Sequence, residues 1–163
     1  MFIRKTTFDD IPALFSIYSR AREYMRKNGN PNQWKNSYPP RDILEEDVKI
    51  GRGYVVVGES GDILAAFMFQ LGDDDTYKII ENGKWLNSDP YGVIHRVASS
   101  GTAKGILSVI VEYCSAFCDN LRMDTHEDNK KMQHLLEKNG FIRCGIIHLP
   151  DGDPRIAYHK IIK

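Results

Sequence analysis

Two apolar runs on either side of a short turn constrain the fold of this chain more than any other part of its sequence. Residues 53–60 read GYVVVGES and residues 63–72 read ILAAFMFQLG, and both runs are rich in residues that favour strands. The turn between them contains the small and polar residues typical of hairpins, namely Glu59, Ser60, Gly61 and Asp62. The sequence therefore predicts an antiparallel pair, the second and third strands of a sheet.

The other segments alternate strand and helix patterns. A first strand, FIRKT, precedes a helix for which Asp9 is the predicted N-cap, with Pro12 in its first turn and Asn28-Gly29 at its end. Further helices are predicted over RDILEEDVKIG, over TYKIIENGKWL, from Ile106 to Cys118, and from Asn129 to Gly140. Further strands are predicted over YGVIHRVA, NLRMDTH, FIRCGIIHL and RIAYHKII. This order indicates an α/β layering with an antiparallel first half and crossover helices later.

Length and charge restrict the classes of function. A chain of 163 residues suits one domain around one core. Its 22 basic and 22 acidic side chains give a net charge of zero, so there is no broad positive field to attract nucleic acid or anionic lipid. No apolar run approaches the ~20 residues that cross a bilayer, and the start MFIRKTTFDD has no secretion signal. We therefore expect a cytoplasmic protein without a nucleic-acid or membrane partner.

Two patterns are candidates for metal or thiol chemistry. Cys114 and Cys118 lie four residues apart in one helical pattern, which suits a thiol pair or half of a metal site. Without a CxxC motif or clustered histidines, the pair is more typical of small buried side chains. The acidic run GDDDT at 72–76 lacks the spaced ligands and closing glutamate of a calcium loop, so it is predicted to be a solvated loop. No metal is expected.

The stretch SSGTAKGIL at 99–107 places two glycines and a lysine between a strand and an apolar helix. Lys104 precedes Gly105 instead of following it, which excludes a Walker P-loop. The spacing of Gly101 and Gly105 also excludes the dinucleotide fingerprint GxGxxG. Two interpretations remain: a helix start whose free N–H groups hold an anion, and an ordinary strand-to-helix turn.

Several motifs taken together resemble a known family. The strand VIHRVA, the turn GTAKGIL with its apolar helix, and RMDTHEDNKKMQHLLEKNGF look like the acetyl-coenzyme A core of the GNAT superfamily of N-acetyltransferases. The most specific of these motifs is DNKKMQHLLEKNGF, which resembles that family's asparagine-headed helix ending in Gly-Phe. The resemblance implies one N-acetyltransferase domain over residues 1–163. The implied fold is α/β (α+β), a mixed, mostly antiparallel sheet of about seven strands flanked by helices, with strands four and five splayed.

The resemblance further implies acetyl-coenzyme A as co-substrate. Its pyrophosphate would bind the backbone amides of the turn, and its pantetheine arm would pair with the fourth strand beside Asn129. Only Gly105 matches a defined position of the family's phosphate motif, because Thr102 and Leu107 replace its other two residues. The implied binding residues are Val97, Ala98, Thr102, Ala103, Lys104, Gly105, Ile106 and Asn129.

The resemblance identifies the catalytic groups less completely than the coenzyme A-binding residues. The tyrosine that often protonates the leaving thiolate in the family corresponds to Leu136, so no general acid is carried over. Candidate bases are His95 on the fourth strand and Asp124 on the fifth. The alternative for His95 is a packed or surface strand histidine without a catalytic role. Tyr158 is a candidate donor or a half-buried strand tyrosine. The candidate walls of an acceptor pocket are Trp34, Tyr38 and Tyr24.

The expected activity is acetyl transfer to an amine by direct attack in a ternary complex. The acceptor would be a small molecule or a peptide, and the fold allows a homodimer, which is common for it. The degraded turn motif and the missing tyrosine leave one alternative, a coenzyme A-binding or sensory module without turnover.

Overall fold

The computed structural model describes residues 1–163, which form one seven-stranded sheet flanked by helices. The strands are β1 (Phe2–Lys5), β2 (Gly53–Val57), β3 (Ile63–Leu71), β4 (Gly92–Ser99), β5 (Asn120–Thr125), β6 (Ile142–His148) and β7 (Pro154–Ile161). The α-helices are α1 (Ile11–Lys27), α2 (Arg41–Ile50), α3 (Ile106–Ser115) and α4 (Lys130–Lys138). Two short 3₁₀ helices cover Phe8–Asp10 and Asp75–Tyr77.

The sheet has the order β1-β2-β3-β4-β5-β7-β6, and all of its pairs are antiparallel except β4 with β5. β4 and β5 pair only at Gly92 with Leu121 and at Val93 with Arg122, and beyond these residues they diverge. The predicted hairpin of β2 and β3 is confirmed, as are the sheet of seven strands and the splay. The divergence leaves a gap in the middle of the sheet, on the C-terminal side of Val93.

The two faces of the sheet are covered differently. α3 and α4 cover one face over an apolar cluster that includes Ile94 and Met123. α1 and α2 cover part of the other face, and the rest of that face is covered by the segment between β3 and β4, which carries Tyr77. Because side chains alternate along a strand, His95 and Asp124 point to the face opposite Ile94 and Met123. None of the helices has the length and apolar character needed to cross a bilayer.

The start of α1 differs from the prediction of an Asp9 cap. The chain first forms a 3₁₀ turn, and α1 begins at Ile11 with Asp10 as its N-cap. The Asp10 carboxylate accepts hydrogen bonds from the Thr7 backbone N–H at 2.8 Å and from both Arg4 Nη atoms at 2.8 and 3.0 Å. These bonds to Arg4 of β1 and to Thr7 therefore select Asp10 over its neighbour.

The helix predicted over TYKIIENGKWL is wrong. Only the 3₁₀ turn Asp75–Tyr77 forms, and residues 78–91 then run to β4 without a helix or strand, apart from one isolated bridge at Glu81. Glu81 exchanges two backbone hydrogen bonds of 2.8 Å with Ile146, and Gly83 lies directly against the Cys144 carbonyl. This tertiary pairing with β6 overrides the local helix propensity.

α3 ends earlier than predicted, at Ser115 instead of Cys118. Its apolar face buries Cys114 completely, and burial raises the pKa of this thiol. The Cys118 thiol donates a hydrogen bond to the Cys114 carbonyl at 3.6 Å, and the Phe117 side chain is exposed. These two cysteines therefore pack as small side chains, as the pattern favoured.

His159, which is fully buried on β7, connects the segment of residues 78–91 to the sheet. Its Nδ1 accepts a hydrogen bond from the Leu86 backbone N–H at 3.2 Å, and its Nε2 lies 2.9 Å from Asn120 Oδ1. Burial, together with the charge of Arg122, lowers the pKa of His159 from 6.5 to about 4. The imidazole is therefore neutral in the folded protein at neutral pH.

We expect the free energy of unfolding to fall as the pH is lowered from 6.5 towards 4. In this window His159 takes up a proton in the unfolded chain but not in the folded protein, so acid favours unfolding. A depression of this size corresponds to a loss of about 3 kcal/mol by pH 4. Urea unfolding at pH 7 and pH 4.5 measures it. His159→Gln should be less stable at pH 7 and should show a smaller pH dependence, and equal pH slopes in both proteins would contradict the assignment.

Candidate active site

A cavity of about 780 Å³ opens where β4 and β5 diverge. Residues from both strands, from the loop before α2 and from the loops after β3 and β6 line it. The structure thereby brings together six of the residues singled out in the sequence, namely Trp34, Tyr38, His95, Val97, Asp124 and Asn129. The cavity also reaches the α3 and α4 face through the gap, where it contacts Ile94.

A β-bulge in β4 shapes the floor of this cavity. Met68 pairs with His95 and Ala66 with Ala98, so β4 has one residue more than β3 between these pairs. The bulge places Arg96 at a φ of 53°, in the left-handed region that non-glycine residues rarely adopt. The Tyr18 hydroxyl, whose pKa burial raises, donates to the Arg96 carbonyl at 2.7 Å and holds this conformation.

The bulge also orients a backbone donor. The Ser100 N–H donates to the Leu64 carbonyl of β3 at 2.9 Å. Because successive residues of a strand direct their backbone groups to opposite edges, the N–H groups of Ser99 and Val97 point away from β3 and into the gap. An N–H at Val97 in this orientation suits an oxygen that develops negative charge.

A buried carboxylate holds the Arg96 side chain in place. Asp47 on α2 is 4% exposed and accepts hydrogen bonds from Arg96 Nη2 at 2.5 Å and Arg52 Nε at 2.7 Å. Arg96 also donates to the Tyr38 hydroxyl at 3.3 Å. This network therefore anchors the side chain of the residue that forms the bulge.

His95 stands between two carboxylates. Its Nε2 is 2.7 Å from Asp74 Oδ2, and its Nδ1 is 3.6 Å from Asp124 Oδ2. The Tyr77 hydroxyl donates to the same Asp124 oxygen at 2.7 Å, and burial together with Asp124 raises the pKa of Tyr77. Tyr77 therefore stays protonated and keeps Asp124 in place.

Asp74 comes from the acidic run that was predicted to be a solvated loop, and for this residue the prediction is wrong. Its carboxylate accepts hydrogen bonds from the Thr76 hydroxyl at 2.6 Å and the Thr76 N–H at 2.9 Å, besides contacting His95. Burial acts to raise the pKa of Asp74, but the hydrogen bonds from His95 and Thr76 outweigh it and lower the pKa to about 2. Its neighbours Asp73 and Asp75 are exposed, as the run predicted.

The turn before α3 presents free backbone donors. No backbone N–H from Ala103 to Ser108 has an acceptor in the structure, and no side chain caps the helix. Gly105 takes a φ of 73° at the N-cap, and Lys104 is exposed next to it. The turn and the helix start together suit a diphosphate without needing the side chains of Thr102 or Leu107.

Two further features fit coenzyme A in this region. The Thr125 hydroxyl, at the gap end of β5, is completely buried, lines the cavity and has no hydrogen-bond partner. Arg20 of α1 places its guanidinium directly over Gly101 of the turn and donates to the Ser99 carbonyl at 3.3 Å. A cation therefore lies beside the turn although Thr102 supplies none.

Asn129 serves the local structure as well as the cavity. Its Oδ1 accepts the Met132 N–H at 3.0 Å and caps α4, while its Nδ2 donates to Gln33 at 2.9 Å. Leu136 is fully buried in the core under this helix. Ala98 is buried and paired with Ala66.

The aromatic candidates separate into two groups. Trp34 and Tyr38 line the cavity, with ring centroids 6.3 Å apart, and Trp34 also packs on Tyr18. Tyr24 lies outside the cavity, where the Lys131 ammonium stands 4.6 Å from its ring centroid. Tyr158 is fully buried on the α3 and α4 face and does not line the cavity.

Four residues of the site were not found from the sequence: Asp74, Tyr77, Asp47 and Arg20. Asp74 and Tyr77 lie close together in the chain, but nothing local shows that the segment folds back over β4. An aspartate on the apolar side of a predicted helix was the one available signal for Asp47, since a buried carboxylate needs a partner. Arg20 had no signal, because the sequence does not place α1 against the turn.

Comparisons with known proteins agree with this geometry. The family model described as an acetyltransferase (GNAT) domain matches residues 1–142. A GNAT-family acetyltransferase from Streptococcus agalactiae is 30% identical over 99% of this chain and 95% of its own, with a TM-score of 0.89. No curated protein matches the sequence.

More distant structures share the fold alone. The structure of AAC(6')-Ib in complex with ribostamycin and coenzyme A is 17% identical over 98% of this chain and 92% of its own, with a TM-score of 0.65. A ribosomal-protein-alanine N-acetyltransferase from Brucella melitensis is 18% identical over 99% of both chains, with a TM-score of 0.62. From the family match and the site together, the chain belongs to the GNAT acetyltransferases and is an N-acetyltransferase.

Proposed function

We propose that the enzyme transfers the acetyl group to a primary amine of a small molecule or peptide by direct attack in a ternary complex. The observation that carries this proposal is the position of His95 and Asp124, which face the same cavity into which the gap between β4 and β5 opens. Acetyl-coenzyme A supplies an activated thioester. The acceptor enters from the face that carries His95, and the thioester reaches it through the gap.

The acceptor must lose a proton before it attacks. Deprotonating a lysine-like amine of pKa ~10.4 at pH 7 costs about 4.6 kcal/mol, whereas an α-amine of pKa ~8 costs about 1.4 kcal/mol. His95 accepts this proton, and Asp124 holds the positive charge of the incoming ammonium. The Val97 N–H then stabilises the acetyl oxygen while the C–N bond forms and the C–S bond breaks.

The leaving thiolate has no tyrosine to protonate it, because Leu136 occupies that position. The cost is small: a thiol of pKa ~8.5 lies about 1.5 units above neutral pH, equivalent to roughly 2 kcal/mol, and water can supply the proton. None of the three cysteines lines the cavity, so the site offers no thiol for an acetyl-enzyme intermediate. Direct attack therefore fits better than a two-step route.

Two measurements test this function. Calorimetry should show binding of acetyl-coenzyme A to the folded protein, and thiol release across a panel of amines should depend on the acceptor. Initial rates at varied concentrations of both substrates should give intersecting lines, as a ternary complex requires. Binding without any acceptor-dependent release of thiol across the panel would instead support an inert coenzyme A-binding module.

A further inference from the structure

The two nitrogens of His95 have different surroundings. Nε2 makes a short contact of 2.7 Å with Asp74 Oδ2, whereas Nδ1 lies 3.6 Å from Asp124 Oδ2, too far for a hydrogen bond. The His95 side chain is 22% exposed, and the two carboxylates are 14% and 11% exposed. The imidazole therefore has one satisfied nitrogen and one that faces an acceptor across a small space.

Asp74 determines which nitrogen carries the proton. An ionised carboxylate only accepts hydrogen bonds, so the 2.7 Å contact requires an N–H at Nε2. Asp74 is itself fixed: its carboxylate accepts from Thr76, and its backbone N–H donates to the Tyr91 hydroxyl at 3.1 Å. In the neutral imidazole the lone pair is then on Nδ1.

The space between Nδ1 and Asp124 needs a donor. Asp124 Oδ2 already accepts from the Tyr77 hydroxyl, and its remaining lone pairs face the Nδ1 lone pair of His95. Two acceptors 3.6 Å apart repel each other unless a group with at least two N–H or O–H donors joins them. An alkylammonium has three such donors and carries the charge that Asp124 attracts.

We propose that Asp74 is a positioning residue that keeps the proton of His95 on Nε2, so that Nδ1 and Asp124 together bind the acceptor ammonium and Nδ1 deprotonates it. The assignment deepens the proposed function and rests on it. One ammonium proton moves to Nδ1 and gives an imidazolium, whose Nε2–H still donates to Asp74 and whose positive charge faces Asp124. The neutral amine forms the C–N bond as the C–S bond breaks, the attacking nitrogen loses a second proton to the thiolate through water, and the imidazolium returns its proton to solvent.

The test uses the full-length protein with ¹⁵N-labelled histidine. Long-range ¹H–¹⁵N spectra at pH 8 distinguish the two neutral tautomers, and His95→Gln identifies the His95 signals by removing them. In the wild-type protein the protonated nitrogen is expected to be Nε2. Asp74→Asn should shift His95 towards a mixture of tautomers, and Asp74→Glu, which keeps the carboxylate, should restore the wild-type tautomer at least in part.

Kinetics supply the second readout. Asp74→Asn should lower kcat about ten- to hundred-fold while the KM for acetyl-coenzyme A stays unchanged. The matched control is Asp9→Asn, which alters an exposed carboxylate that does not line the cavity. This variant should keep both kcat and the tautomer.

The proposal is overturned if wild-type His95 carries its proton on Nδ1. It is also overturned if Asp74→Asn changes neither the tautomer nor kcat. These outcomes differ from a failure of the proposed function, in which the wild-type protein itself would release no thiol in an acceptor-dependent way across the amine panel.

Discussion

Exchange of His95 for alanine should lower kcat/KM for the acceptor amine by about 10²- to 10⁴-fold at pH 7, the usual contribution of a general base. The variant loses the imidazole that faces both the gap and Asp124. The fold should survive, because the side chain is partly exposed and stands at the cavity wall, outside the three apolar clusters. Thiol release measured with the best amine of the panel gives the rate, and circular dichroism confirms the fold.

The deficit should shrink as the pH rises. At pH 7 only a small fraction of an amine of pKa ~10.4 is unprotonated, whereas near pH 10 the free base is abundant and the enzyme has less need of a proton acceptor. Wild-type and His95→Ala rates should therefore converge at high pH. Binding of acetyl-coenzyme A, measured by calorimetry, should stay unchanged because the turn before α3, which suits the diphosphate, does not include His95.

A matched control is available in His134, an exposed histidine on α4 that does not line the cavity. His134→Ala should retain the wild-type rate at every pH. If His95→Ala also keeps the wild-type rate and pH profile, then His95 is not the base, and Asp124 acting through water becomes the remaining candidate.

The sequence predicted the parts of this structure that depend on local patterns. The hairpin of β2 and β3 follows from strand-forming residues around a small turn, and the cap of α4 follows from Asn129 with Gly140 at its far end. The splay and the phosphate turn were predicted through resemblance to a family. His95 and Asp124 were predicted as candidate bases because they occupy the two strands that the splay separates.

The remainder depends on contacts between distant parts of the chain. Asp74 and His95 are 21 residues apart and meet only because the segment after β3 folds over the sheet. Tyr77 reaches Asp124 across 47 residues, and Asp47 reaches Arg96 across 49. The prediction of a helix over TYKIIENGKWL was wrong for the same reason, since pairing of Glu81 with the distant Ile146 outweighs local helix propensity. Patterns with a period of a few residues carry no information about such pairs.

Asp47→Asn should reduce the free energy of unfolding by about 3 kcal/mol, the lower end of the cost of breaking a buried ion pair. The exchange keeps the shape of the side chain but leaves Arg96 and Arg52 without their shared carboxylate. Arg96 has no other acidic partner, and its buried Nε already lacks an acceptor. Urea unfolding measures the change, and the control Glu46→Gln, at an exposed position of the same helix, should stay within about 0.5 kcal/mol of the wild type.

Loss of Asp47 should also lower activity in the protein that remains folded. The left-handed conformation of Arg96 is unfavourable by itself, and Asp47 and Tyr18 hold the side chain and carbonyl of this residue in place. When the side-chain anchor is lost, the bulge relaxes and the Val97 N–H moves away from the acetyl oxygen. kcat should therefore fall while the KM for acetyl-coenzyme A changes little, because the turn before α3, which suits the diphosphate, contains no residue of α2. A variant that loses stability but keeps its wild-type kcat at a temperature where it is fully folded would show that the bulge persists without Asp47, held by the hydrogen bonds of β3 and by Tyr18 alone.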